Sequence, residues 1–315
     1  MSIIYSMKTK IQEPHGRETY ATNFGSGLVM KRPLPEFTQI QKDKWLEKQH
    51  RTKQVVDEIL SVNHTAYYNI PKMIFIKDEE YQLLEERVIG TELNYALYQT
   101  LNMRQKNEII NSLAHFLVDM NELAFRPIQP EIVHKISAEL KITRLENFIE
   151  NKMPKWFDLG EIKYMADLFE DLSNFEYVTC KAWSHCDLNS GNVLYDVETN
   201  RLSFIDFAEA DYNFIYRDIF SPLSVDLNIC RPVYTEYMKL HDENKYRMPS
   251  SRDAELQNIM RYRRIVVLLK RFIKASDDLR LNPQSKKTEE NNVNKVKFMR
   301  ELMAKMRYIE KGLTR

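Results

Sequence analysis

β-branched and aromatic runs broken by turn residues fill the first ninety positions, and apolar residues at helical spacing dominate the remainder. Ile3–Gln12 reads as a strand that stops at Glu13-Pro14-His15-Gly16, where Pro and Gly together force a turn. Thr19–Phe24 reads as a second strand. Gly25-Ser26-Gly27 then turns the chain tightly into Leu28–Lys31, and Pro33 and Pro35 end that strand. Glu36–Leu60 reads as a helix, with Glu47, Arg51, Val55 and Ile59 on an i, i+4 stripe. Lys72–Lys77 and Tyr81–Val88 form a further hairpin, and Gly90 marks its exit.

Beyond Gly90 the period changes. In Met103–Ala124, residues Ile109, Leu113, Phe116, Leu117, Met120 and Leu123 fall at helical spacing, and Ile132–Ile149 and Lys163–Phe175 repeat the signal. Two short strand-like runs, Asn192–Tyr195 and Arg201–Phe207, flank the polar turn Asp196–Asn200. Ala254–Ile273 reads as a helix and Asn282–Lys297, being polar, as a mobile loop. The order is a sheet lobe, helices, a small hairpin bearing polar residues, then more helices.

Composition narrows the partners. The 315 residues carry a formal net charge of +1, so nothing global points to nucleic acid or a membrane surface. The charge is uneven: residues 216–315 hold 22 Lys/Arg against 13 Asp/Glu, and the first 215 hold 24 against 32. No apolar run is long enough for a membrane span, and Met1–Lys10 lacks a signal-peptide pattern. The three cysteines do not have zinc-site spacing. A reducing, cytoplasmic setting is expected.

The chemistry concentrates in His185-Cys186-Asp187-Leu188-Asn189-Ser190-Gly191-Asn192, followed by Ile205-Asp206-Phe207. The spacing His-x-Asp-x4-Asn is that of a kinase catalytic loop. Phosphoryl transfer leaves protein groups mainly positioning and charge neutralisation to do. Asp187 is the candidate to orient an acceptor hydroxyl and take its proton. Magnesium takes hard oxygen ligands, and Asn192 and Asp206 offer an amide oxygen and a carboxylate at one end of a hairpin. His185 is expected to hold the loop rather than titrate.

On these residues the chain resembles the aminoglycoside phosphotransferase and choline kinase family, relatives of the protein kinases. The resemblance implies a two-lobed α+β fold, with an antiparallel-sheet lobe at 1–88, a mainly helical lobe at 89–315 and the nucleotide in the cleft. It implies ATP or GTP as donor and a small-molecule hydroxyl as acceptor. Lys31 matches the family's phosphate-binding lysine, and Glu47 fits the helix glutamate paired with it, with Glu58 and Glu36 as alternatives. The loop Glu13–Glu18, with Gly16, corresponds to the loop over the phosphates. Backbone groups near Glu86 and Val88 correspond to the base-binding hinge. Asp218, in Arg217-Asp218-Ile219, would brace the catalytic loop through backbone hydrogen bonds, with a helix N-cap as the alternative.

The acceptor is not legible. The basic C-terminal half, including Arg261, Arg263, Arg264, Lys270 and Arg271, leans toward a neutral or anionic acceptor rather than a polycation. Two rivals stand beside a small-molecule kinase. A kinase of the same fold acting on protein lacks an Asp-Phe-Gly to Ala-Pro-Glu segment here. A nucleotide-binding module without turnover has no need of Asp187. Nucleic-acid binding fits least, since no aromatic-basic motif accompanies the basic residues. Oligomeric state is not legible.

Overall fold

The computed structural model describes residues 19–23, 27–61, 66–125, 128–135, 142–215, 218, 227–240, 253–277, 279 and 286–310. The chain divides into two compact units, Met1–Pro130 with Cys180–Arg247, and Glu131–Thr179 with Met248–Arg315. The expected strand Ile3–Gln12, the loop with Gly16, and Gly25 and Ser26 of the first turn lie outside the described residues. Among the described residues no helix is long and apolar enough to cross a membrane.

The first unit opens with β1 (Thr19–Asn23), β2 (Leu28–Pro33), the helix α1 (Gln39–Ser61), β3 (Tyr68–Asn69), β4 (Met73–Lys77), β5 (Gln82–Glu86) and β6 (Thr91–Glu92). Strands β1, β2, β5 and β4 form an antiparallel sheet in that order. Gly27 enters β2 at φ 88°, a left-handed conformation that a side chain would disfavour. α1 buries Trp45, Gln49, Thr52, Val55, Val56 and Ile59.

Two helices follow, α2 (Tyr95–Thr100) and α3 (Met103–Asn121). α3 starts at a reciprocal cap between Asn102 and Gln105. Its buried stripe includes Ile109, Leu113, Phe116, Leu117 and Met120, as the spacing predicts. β7 (Gln129–Lys135) leaves this unit, and β8 (Glu176–Ser184) re-enters it. Then come β9 (Val193–Asp196), β10 (Arg201–Phe204) and β11 (Asp211–Phe214). A second sheet runs β3-β10-β9-β6. Its floor is aromatic: Phe116 stacks on Phe204 at 3.7 Å between ring centroids, and Tyr68 meets both edge-on. β11 pairs antiparallel with the end of β8, and α6 (Leu227–Leu240) packs along α3.

The second unit contains α4 (Ile142–Asn151), α5 (Leu159–Asn174), α7 (Asp253–Asp277) and α8 (Lys286–Glu310). Phe148 and Phe157 pack against Phe272, and Phe175 stacks on Tyr262 at 4.0 Å. Arg300 forks onto Glu161 at 2.8 and 3.2 Å.

Two expectations are corrected in this part of the chain. Residues 132–135 are strand rather than helix: β-branched Ile132 and Val133 suit an extended run that begins at Gln129. Asn282–Lys297 is not a loop from Lys286 onward, because α8 begins there. Its apolar residues Val296, Met299, Leu302, Met303, Met306 and Ile309 are buried at helical spacing. Among the described side chains, the Asn- and Glu-rich start has Asn292 alone buried, so the stripe is invisible until the fourth turn.

Candidate functional site

The hairpin β9–β10 pairs Val193 with Phe204 and Asp196 with Arg201. Its turn is closed by Asp196, which accepts from Glu198 N and Thr199 Oγ1, and by Asn200 in a left-handed conformation at φ 55°. At the other end, Ile205 N donates to Asn192 O at 3.1 Å. Asp206 is therefore one residue beyond a backbone bond to Asn192, so the two candidate cation ligands leave the hairpin at the same end.

The Asp187 loop is held by a closed set of hydrogen bonds. His185 is fully buried; its Nε2 lies 3.0 Å from Ile205 O, and its Nδ1 accepts from Asp187 N at 3.4 Å. A carbonyl only accepts, so Nε2 carries the proton and Nδ1 is the acceptor. This makes His185 a strut between the loop and β10. Asp218 accepts from the backbone N–H of His185 and, at 3.0 Å, from that of Cys186. Those bonds hold Cys186 at φ 65°, a conformation costly for a non-glycine residue.

The Asp187 carboxylate is exposed and accepts two amides: Asn189 Nδ2 on Oδ1 and Asn192 Nδ2 on Oδ2, each at 3.0 Å. Asn192 Nδ2 also donates to Asp187 O at 2.8 Å. With its nitrogen committed, Asn192 has its amide oxygen left for a cation. Asn189 is a member of this site that motif spacing alone did not single out. It also caps the short turn Ser190–Asn192 by accepting from Gly191 N at 2.8 Å. An Asn two residues before a Gly was the available signal.

Magnesium fits this donor set. It is satisfied by one or two protein oxygens when phosphate and water complete the shell. Among the described residues there is no cluster of three or more His, Cys, Asp or Glu that could hold a metal by itself. Asp206 is exposed, with a left-handed backbone at φ 62°, ψ 63°.

Lys31 sits on β2, and its Nζ lies 2.6 Å from Glu85 Oε1, both side chains being largely buried. The expected pair with Glu47 is thus made with Glu85. The register explains it: Val29 faces Glu85 and Lys31 faces Leu83, so Lys31 and Glu85 are diagonal neighbours on one face. Glu47 is exposed. At about 100° per residue it stands about 200° round α1 from Trp45, so it points away from the buried face. An i, i+4 stripe also drifts by about 40° per step, so Glu47 and Ile59 do not share a face.

The stretch resembling a hinge follows β5. Glu86 N donates to Lys72 O at 2.9 Å and Arg87 N to Gly27 O at 2.8 Å. Val88 is half-buried. Gly90 then passes against β9, where a Cβ would lie 3.1 Å from Leu194 Cβ and 3.2 Å from the Tyr195 backbone. A side chain there would require β9 to yield by a few tenths of an ångström.

Comparison with known proteins agrees with this geometry. A family model described as a phosphotransferase enzyme family matches residues 25–238, well over half of the chain. No curated protein sequence matches. Among solved structures, the chain is similar to the GDP complex of aminoglycoside 2'-phosphotransferase-IIIa, with a TM-score of 0.59, 15% identity and coverage of 95% of this chain and 94% of that one. It is similar to ADP-bound aminoglycoside phosphotransferase APH(2'')-Ib, with a TM-score of 0.55, 14% identity and coverage of 92% and 91%. It is also similar to a choline/ethanolamine kinase family protein from Mesorhizobium loti, with a TM-score of 0.53, 12% identity and coverage of 91% and 86%. At these identities the likeness establishes the fold, which is the protein-kinase-like α+β class expected from the sequence. Fold, loop and family model converge: the chain belongs to the phosphotransferase enzyme family.

Proposed function

We propose that the chain transfers the γ-phosphoryl group of ATP or GTP to a hydroxyl of a small molecule. One observation carries this reading. Asn192 is locked through its amide nitrogen onto Asp187, while the hairpin delivers Asp206 to the same end. A base candidate and two candidate oxygen donors thus leave one end of the same hairpin, which supports the reading.

Each residue has a role in that reading. Asp187 orients the acceptor hydroxyl and takes its proton; each carboxylate oxygen keeps a lone pair beside the amide it accepts. Asn192 and Asp206 would hold magnesium, which when bound supplies charge neutralisation at the phosphates. Lys31 steadies the phosphates from the sheet. His185 and Asp218 fix the loop. Residues 1–88 form the nucleotide-binding lobe and 89–315 carry the catalytic loop and substrate site. Since the Glu86 amide is committed to Lys72, base contacts fall to the Glu86 carbonyl and to Val88. Gly16 belongs to the phosphate loop in this reading. ADP and GDP are the nucleotides in the similar structures, which supports a nucleotide donor of either kind.

The test is direct. Purified protein with magnesium and γ-labelled ATP, then GTP, is offered aminoglycosides, choline, ethanolamine, homoserine and sugars. Label should reach one of them, and Asp187→Asn should lower the rate by roughly 100-fold or more, the usual scale for losing a positioned proton acceptor. Label on added protein instead would move the acceptor to protein. Nucleotide binding with no transfer to anything, or transfer indifferent to Asp187→Asn, would sink the reading.

A further inference from the structure

We propose that Arg51 is a positioning residue for Asp206, so that α1 sets the cation site through the residues that follow it. The inference rests on the reading of Asp206 as a cation ligand and adds what holds it in place.

Asp206 occupies a left-handed conformation that a non-glycine residue keeps only when its surroundings over-determine it. The upstream side is fixed: Ile205 N is bonded to Asn192 O, and Ile205 O lies against His185 Nε2. The downstream side is a short turn, Phe207–Glu209, closed by Ala210 N donating to Phe207 O at 3.0 Å. β11 follows at once, with Asp211 paired to Ser184, and a second hold comes from the helix α1. Arg51 Nη2 donates to Ala210 O at 2.6 Å and lies 2.9 Å from Asp211 Oδ1. Its guanidinium carbon is 5.9 Å from the Trp183 ring centroid. One turn earlier on α1, Lys48 Nζ reaches Glu209 Oε1 at 2.7 Å.

The consequence is an exchange of partners along α1. The helix residue expected to meet Lys31 points to solvent, and Lys31 takes its carboxylate from the neighbouring strand. α1 instead offers two cations, one turn apart, to the three residues Glu209–Asp211 that follow the cation loop. The helix is therefore coupled to Asp206 rather than to the phosphate lysine. Both members of the Arg51–Asp211 pair are about half exposed, at 51% and 60%, so the pair contributes little to global stability. Its effect is local, on the geometry of one carboxylate.

The experiment measures affinity for a fluorescent ADP analogue with and without magnesium, together with the melting temperature, in the full chain. Arg51→Met should reduce the magnesium-dependent gain in affinity about 5- to 30-fold. Metal-free affinity should stay within about twofold, with the melting temperature lowered by less than about 4 °C. Arg51→Lys should recover most of the gain, because a single nitrogen makes both polar contacts. Asp211→Asn, which approaches the pair from the other side, should reproduce the loss and be non-additive with Arg51→Met. A native magnesium gain in both Arg51→Met and Asp211→Asn, while Asp206→Asn abolishes it, overturns the proposal and leaves the Asp206 reading intact. A native gain in Asp206→Asn itself overturns that reading and this proposal with it. Equal losses with and without magnesium would show a general structural role and also overturn the proposal.

Discussion

Replacing Asp218 with Asn probes how the Asp187 loop keeps its shape. In the native protein Asp218 is 1% exposed, and its two oxygens accept the amides of His185 and Cys186. Asn conserves the volume, removes the charge and turns an NH2 toward one of the two donors. One charge-assisted hydrogen bond is lost, worth about 1.5–3 kcal/mol. Cys186 at φ 65° then lacks part of what offsets its left-handed backbone. That energy corresponds to roughly 10- to 150-fold in a local opening equilibrium, at about 1.4 kcal/mol per tenfold. Amide hydrogen exchange on a peptide spanning Trp183–Leu188 measures it. Exchange there should accelerate by that factor, while a peptide from β5 stays at its native rate. A folded Asp218→Asn protein whose loop peptide exchanges within about threefold of native would refute the reasoning.

Three further outcomes are expected. Gly90→Ala should lower stability by about 1–3 kcal/mol, because the new Cβ meets Leu194 and the Tyr195 backbone at 3.1–3.2 Å; an unchanged urea midpoint would show that β9 yields freely. Tyr68→Phe removes the hydroxyl that donates to buried Asp119 and should cost about 1–3 kcal/mol. Burial first, and then Asp119, raises the Tyr68 pKa in the folded protein. Its contribution is therefore fully present below the unfolded pKa of about 10 and is lost as pH rises above it. Urea unfolding from pH 8 to 11 should fall more steeply in the native protein than in Tyr68→Phe, and parallel curves would contradict the assignment. Lys31→Met strands Glu85, which is only 14% exposed, and should lower both stability and nucleotide affinity. Adding Glu85→Gln should restore stability alone; recovery of affinity as well would remove Lys31 from the phosphate site.

The sequence was most legible where geometry is local. His185, Asp187, Asn192 and Asp206 lie on a loop and hairpin marked by two short buried runs either side of a polar turn, so the residues could be read together. The α3 stripe was equally clear because one face is wholly buried. What escaped were choices made between distant segments. Lys31 has carboxylates available on α1 and on β5, and only strand register decides for Glu85. Asn189 acts through a two-residue turn that no long period reveals. Strand β11 is four polar and aromatic residues, Asp211–Phe214, and exists because β8 offers an edge. The start of α8 hid its helical nature behind asparagines, and its identity comes from the buried positions that follow.

Helix α3 carries one further implication. Between Ser112 and Asn121 it bonds Tyr67, Tyr68, Trp183 and Tyr237, partners 45, 51, 62 and 116 positions away along the chain. Each such closure costs chain entropy that only docking of this helix returns. The order of assembly is thereby constrained: the β9–β10 hairpin can form early by itself, but its floor is completed only when Phe116 arrives against Phe204. Refolding speed should then be governed by α3, with Phe116→Leu slowing folding more than it hastens unfolding. The reverse partition would place that docking after the barrier. Competence of the site is, on this view, a late property of the folding chain, although its residues are nearly adjacent in sequence.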